Sequence, residues 1–469
     1  MRRAALLLVV GLGCGRSFES LPPPPVPIEA VASAEPQPEA ETTPVSRGPA
    51  EVDAMLAEID ASRMAQSIEM LVGFGTRHTL SVTDDPARGI GAARAGLAAR
   101  LRASPRLEVT MDIHRIEPDG RRVDAPTEVV NVVATLPGTM SEAAKRLYYV
   151  IGHYDSRVTD PMNRSADAPG ANDDGSGTAV VLELARVMSQ HKYDATLVFM
   201  ATAGEEQGLL GARAHAQAAS KAGLDIRGVL SNDIVGDPSG PSGSSFDGEV
   251  RVFSIALENP LDDTELAALR TLAGTHDGES RQLARFVHAV GQQHALAVQA
   301  KLVFRRDRFL RGGDHTAFNE AGFAAVRFSE VEENYDRQHQ DVRTQDGRKY
   351  GDLAEFVDPE YLAGVARLNA ATLAHLANAP SMPANARIVA AGLSHDTNLR
   401  WEPSPEPDVA GYELVWRETT APQWSGVKDV GVAVDVTVPM SKDNVFFGVR
   451  AYDAQGYRSP VRFMSVARE

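Results

Sequence analysis

The sequence predicts an α/β protein, with a mixed, mostly parallel sheet flanked by helices, followed by a C-terminal all-β sandwich. Three observations predict it. Between residue 50 and about residue 379, segments with helical apolar spacing alternate with short apolar runs. Leu147–Ile151 is a continuous apolar run, as expected of a strand covered on both sides, and Thr196–Ala201 and Gly228–Ile234 read as two further buried strands. Past Pro380 the helical period ends, and short alternating strands separated by turn residues take over.

In chain order, Val52 to Leu71 carries apolar residues at helical spacing (Met55, Leu56, Ile59, Met64, Ile68, Leu71), and Arg88–Leu101 reads as an Ala-rich helix. Leu107–Ile113 and Glu128–Leu136 read as strands, the second stopped by Pro137-Gly138. Helices at Thr178–Met188 and Leu209–Ala222 separate the three buried runs, giving a β-α-β-α-β order. Strands are expected at Val250–Ile255, Lys301–Phe304 and Ala324–Phe328, and helices at Leu261–Leu272, Glu279–Gln293 and Glu360–Leu376. The catalytic domain is therefore expected over 51–380 and the sandwich over 385–469.

The 469 residues carry 63 acidic and 47 basic side chains, a net charge of −16. That balance argues against a nucleic-acid partner, which needs a basic face. No apolar run approaches the ~20 residues that span a bilayer. A single cysteine, Cys14, excludes an intrachain disulfide and a cysteine-rich zinc module.

Residues 1–14 read as an export signal: Arg2 and Arg3, apolar Ala4 to Val10, then Cys14. The segment is similar to a bacterial lipoprotein signal, in which the cysteine is lipidated. That implies an exported protein anchored at the cell envelope, periplasm-facing or on the outer membrane, whose membrane contact runs through Cys14; plain secretion is the alternative. Residues 15–50 hold nine of the 28 prolines and read as an extended tether.

Four segments fall just past the ends of expected buried strands, where ligands bind in open α/β sheets. They are Gly152-His153-Tyr154-Asp155-Ser156, Pro169 to Gly177 (PGANDDGSG), Ala203 to Gly208 (AGEEQG) and Ser231-Asn232-Asp233. So many acids at one edge repel one another unless cations sit among them. Mixed His, Asp and Glu donors without a thiolate suit catalytic zinc.

Taken together in this order, HYDS, PGANDDGSG, GEEQGLLGAR and the strand-end ND resemble metallopeptidase family twenty-eight over roughly residues 50–380. The family includes bacterial leucyl-type aminopeptidases, glutamate carboxypeptidase II and glutaminyl cyclases. The resemblance implies two zinc ions and peptide substrates. It implies His153 and Asp233 as ligands of the first metal, Asp173 as the bridge, and Glu206 as a ligand of the second. His339 is favoured as the fifth ligand, with His315 the alternative; Gln338 stands where the family has tyrosine. Glu205 matches the general base, and Asp155 matches the carboxylate that steadies His153. The implied activity is aminopeptidase. The alternatives are a glutaminyl-cyclase-like acyltransferase, whose family members place tryptophan at the position of Gln338, and an inactive binding protein on the same scaffold.

Asp174 reads as a helix cap, Arg77 as a packing residue that could line the cleft, and Glu330, Glu332 and Glu333 as a solvated loop or pocket rim. The C-terminal segment, with Trp401, Val449 and Ala451, resembles a fibronectin type III domain, a family of spacers and docking modules. Its partner is not specified by the sequence.

Overall fold

The computed structural model describes residues 48–257, 263–271, 274–390 and 392–467, all within one compact unit. The expected signal, residues 1–14, and most of the expected tether, 15–47, lie outside the described residues.

The eight strands of the main sheet are β1 (Glu108–Ile116), β2 (Thr127–Leu136), β3 (Arg146–His153), β4 (Thr196–Thr202), β5 (Asp225–Asn232), β6 (Glu249–Ser254), β7 (Gln299–Val303) and β8 (Ala325–Ser329). Their spatial order is β1-β2-β4-β3-β5-β8-β6-β7. β4, β3, β5 and β8 run parallel to one another, as do β6 and β7. β1–β2, β2–β4 and β6–β8 are antiparallel. The sheet is mixed, with a parallel centre.

Strand alternation sorts the centre into two cores. Tyr148, Val150, Leu197 and Phe199 face one layer; Tyr149, Ile151, Val198 and Met200 face the other. The first layer holds α2 (Ala61–Gly73), α4 (Gly175–Met188), α7 (Glu279–Gln293) and α9 (Pro359–Asn378). The second holds α5 (Leu210–Lys221) and α8 (Asp314–Glu320). α3 spans Gly89–Arg102 and α6 spans Asp263–Thr271. Part of the helix expected at Leu261–Leu272 falls on residues outside the described set.

The stretch from Val52 to Leu71 holds two helices, α1 (Ala50–Leu56) and α2. The Asp60 carboxylate accepts the N–H groups of Ser62 and Arg63 and starts α2 afresh. Apolar spacing does not register such a cap. α8 and the hairpin β9 (Arg343–Gln345)/β10 (Arg348–Tyr350) are too short to show a period and were not expected.

The sandwich has two four-stranded sheets. One holds β11 (Ala384–Val389), β12 (Thr397–Glu402), β15 (Asp435–Val438) and β18 (Ser465–Ala467); the other holds β13 (Val409–Glu418), β14 (Gly426–Asp429), β16 (Val445–Asp453) and β17 (Arg462–Phe463). Trp401, Leu399, Leu414, Phe447, Val449 and Ala451 fill the space between them.

Candidate metal centre

Three neighbouring parallel strands deliver most of the site. His153 is the last residue of β3, Glu205 and Glu206 lie in the turn after β4, and Asp233 follows β5. Asp173 stands on the loop that enters α4, and His339 on the segment after β8. His153 Nε2 lies 3.2 Å from Asp173 Oδ1 and 3.9 Å from Asp233 Oδ1. His339 Nε2 lies 2.8 Å from Asp173 Oδ2 and 3.1 Å from Glu206 Oε1. Two triads result, His153/Asp173/Asp233 and Asp173/Glu206/His339, and Asp173 gives one oxygen to each.

These residues fit a pair of zinc ions. His153 Nε2 and Glu206 Oε1 are buried and make no hydrogen bond. His153 Nδ1 lies 3.1 Å from the Asp155 backbone carbonyl, which can only accept, so the Nε2 lone pair faces the triad. The donors are imidazoles and carboxylates, the set zinc takes at catalytic sites.

Asp155 has a second task. Its carboxylate accepts the N–H groups of Glu205 and Glu206, each at 3.2 Å, and the Thr79 hydroxyl at 2.8 Å. It therefore fixes the double-glutamate turn; its carboxylate is 3.5 Å from His153 Nδ1. Arg77, fully buried, ties down the neighbouring loop by donating to the carbonyls of Tyr154, Pro169 and Gly170. Asp174 caps α4 by accepting the Gly177 N–H at 2.9 Å. A Cβ at Gly177 would stand 2.2 Å from the Asn232 carbonyl oxygen, so no side chain fits there.

Several contributors carried no motif. Asp352 accepts the backbone N–H groups of Asn172 and Asp173. Gln338 donates to Asp173 Oδ2 at 2.9 Å. Arg327, fully buried, lies 3.0 Å from Asp233 Oδ1. Arg157 Nε is 2.9 Å from Glu206 Oε2, and its Nη2 is 2.6 Å from His339 Nδ1. A guanidinium only donates. His339 can therefore hold a metal through Nε2 only with Arg157 turned away from Nδ1.

The fields are strong. Burial would raise Asp173, but His339 and His153 hold it well below the usual carboxylate range. Burial pushes Glu205 well above that range; His153 opposes the shift, and Asp233, Glu206 and Asp314 add to it. Burial also lifts Asp314 and Asp352, each to about 7. His339 is pulled down by burial, yet Glu206 and Asp173 raise it to about 10.

His315 is not part of either triad. Its Nε2 bonds the Arg306 carbonyl at 2.8 Å and faces Asp307. Of the acidic run expected as a solvated loop or pocket rim, Glu330 and Glu333 are buried, Glu330 lining a small pocket with Asn172, Asp237 and Arg337, and only Glu332 is exposed. Glu330 accepts from Asn172, and Glu333 pairs with Arg251 and Arg308.

The sequence pattern of Peptidase family M28 matches residues 131–358, a span that holds all five candidate ligands. A probable zinc metalloprotease of Leptosphaeria maculans is 44% identical over 415 residues, covering 87% of this chain and 96% of that protein. The chain belongs to peptidase family M28. A second relative, a probable zinc metalloprotease of Pyricularia oryzae, is 46% identical over 422 residues, covering 88% of this M28 chain and 84% of its own. Among solved structures, the aminopeptidase from Aneurinibacillus sp. strain AM-1 is 15% identical with a TM-score of 0.48, covering 70% of this chain and 96% of that one. The Porphyromonas gingivalis glutaminyl cyclase is 17% identical with a TM-score of 0.45, covering 67% and 98%. At that similarity neither adds to the M28 assignment.

Proposed function

We propose that this M28 chain is an exported zinc-dependent aminopeptidase that removes N-terminal residues from peptides. The observation that carries the reading is the pair of triads joined by Asp173, with Glu205 in the adjoining turn. Zinc ions held there would acidify a water and polarise the scissile carbonyl. Glu205 takes the proton of the attacking water and returns it to the leaving amine. Asp155 keeps Glu205 and Glu206 in fixed register, so that one neighbour can serve the metal and the other the substrate.

The relatives named as probable zinc metalloproteases support zinc and peptide-bond hydrolysis. The segment from Arg2 to Cys14 supports export, with lipidation at Cys14 as the anchor. The sandwich is proposed to be fibronectin type III-like, with Trp401 in its core.

The test is metal analysis of the full chain together with a panel of peptides. Release of free N-terminal amino acids with two zinc ions per chain supports the reading. Ammonia lost from N-terminal glutamine, without amino-acid release, would point to a cyclase-like transferase. Zinc uptake without either product would point to an inactive binding scaffold.

A further inference from the structure

We infer that the C-terminal sandwich is a fixed wall of the peptidase unit and that, acting through α7, it positions Asp233; the second half of this inference rests on the metal reading above. Arg417 of β13 reaches out of the sandwich to Asp277, just ahead of α7. Its Nη2 lies 3.0 Å and 2.8 Å from the two carboxylate oxygens. Arg285 of α7 closes on the same carboxylate at 2.6 Å, and its Nε donates to the Pro422 carbonyl at 2.7 Å. The Trp424 indole N–H donates to Gln282 at 3.0 Å, and Arg462 pairs with Glu279 at 2.5 Å. Glu279, Gln282 and Arg285 are spaced three apart, so the sandwich grips one row of α7.

Asp277, Arg285 and Arg417 are all nearly excluded from water. Parting the two bodies would take Arg417 from a buried carboxylate and leave Arg285 as its neutralising partner. The Arg285–Pro422, Trp424–Gln282 and Arg462–Glu279 contacts would break in the same movement. A module that swung freely on a linker would not be held like this.

The adjoining row of α7, Arg281 and Arg285, leads to the site. The guanidinium groups of Arg281 and Arg285 lie 4.3 Å and 5.2 Å from the centre of the Phe304 ring. Arg281 also bonds the Ser254 hydroxyl and carbonyl, and the Ser254 N–H donates to the Arg305 carbonyl at 3.1 Å. Phe304 opens the segment that carries Asp307. Asp307 Oδ2 lies 3.2 Å from Arg327 Nη1, and Arg327 Nη2 lies 3.0 Å from Asp233 Oδ1. The links are ion pairs, a hydrogen bond and cations over a ring, joined by the short backbone stretch Arg305–Asp307, and through them a shift of α7 would reach the Asp233 carboxylate. Arg417 is thus a positioning residue.

The test uses the full chain with Arg417→Met and Arg417→Lys. Zinc affinity is read by competition with a chromophoric chelator, and cooperativity by thermal unfolding. The wild-type chain is expected to unfold in one transition and to bind two zinc ions. Arg417→Met is expected to keep one zinc at wild-type affinity and to hold the other several-fold more weakly, below the ~10–100-fold loss of a partner bonded directly to a ligand. Arg417→Lys, which keeps the charge, restores most of the difference. Should Arg417→Met not fold, Trp424→Phe, which removes the indole N–H bonded to Gln282 while keeping an aromatic ring, gives the same selective loss to a smaller degree. Separate melting of sandwich and peptidase in the wild-type chain overturns the wall. Unchanged affinities at both zinc positions in the folded variant overturn the positioning. A wild-type chain that takes up no zinc overturns the metal reading and the positioning with it, while the wall stands or falls on the melting curve alone.

Discussion

The Asp352 carboxylate accepts the Asp173 backbone N–H at 2.7 Å, with its other oxygen on Asn172 at 2.8 Å. A residue 179 positions away in sequence thereby fixes the turn that presents the shared ligand. Asp352→Asn replaces one accepting oxygen with a donor and turns it against an N–H. Zinc affinity is expected to fall about 10–100-fold, the usual effect of losing a support behind a ligand. Equilibrium dialysis against zinc reads the change; unaltered affinity would remove Asp352 from the site's architecture.

Glu205→Gln keeps the size of the side chain and removes its capacity to take a proton. The variant is expected to retain both zinc ions, with turnover reduced about 10²–10⁴-fold. Metal analysis and steady-state kinetics on one preparation decide it. Full turnover would refute the base assignment.

The fifth ligand is settled by a pair of variants. His339→Ala removes an imidazole whose Nε2 faces Asp173 and Glu206, and is expected to bind one zinc fewer. His315→Ala removes a ring bonded to the Arg306 carbonyl, and is expected to melt at a lower temperature with its zinc count intact. The reverse pattern of zinc loss would exchange the two roles.

Arg157 lies against both Glu206 and His339. Arg157→Met removes a cation that competes for these two ligands, so zinc at the second triad is expected to bind several-fold more tightly. Chelator competition measures it, and weaker binding would show that Arg157 supports the ligands.

Stability of the chelator-treated protein is expected to fall as pH rises. Asp314 and Asp352 are raised to about 7 and His339 to about 10. Unfolded carboxyls titrate near 4 and imidazole near 6.5, both approximate reference values. The folded chain therefore holds protons that the unfolded chain has released, and their contribution is lost as pH climbs through the folded values. Asp307 and Glu333 act oppositely. Burial would raise them, but arginines hold them below the usual range, so their contribution disappears only in acid. Melting curves of the treated protein at pH 5.5, 7 and 8.5 should step downward, and zinc should reverse the order by favouring deprotonated ligands. A flat or rising series would contradict the assignment.

Much of the site was legible because strand ends carry it. His153 ends a continuous apolar run, and Glu206 and Asp233 come a few residues past the apolar stretches Leu197–Ala201 and Val229–Leu230, so their convergence could be read from strand order. His339 could not be read in this way: it sits in left-handed backbone (φ 52°) on a segment with no period, and His315 competed for its place. Asp352, Arg327 and Arg157 carried no signal, since each acts across more than 90 positions of sequence. Glu330 and Glu333 looked solvated because the side chains that bury them, Asn172, Arg251 and Arg308, come from distant segments. Within the fold, the Asp60 cap and the seven-residue α8 escaped a reading based on periodicity.

Because a single acid serves both halves of the centre, its loss cannot be partial. With two cations bound as proposed, a change at Asp173 would weaken both positions in one step, whereas a change at His153 or His339 touches one triad. On that reading, a branch of this lineage that works with one ion arrives there more readily through an outer ligand, with the middle one retained.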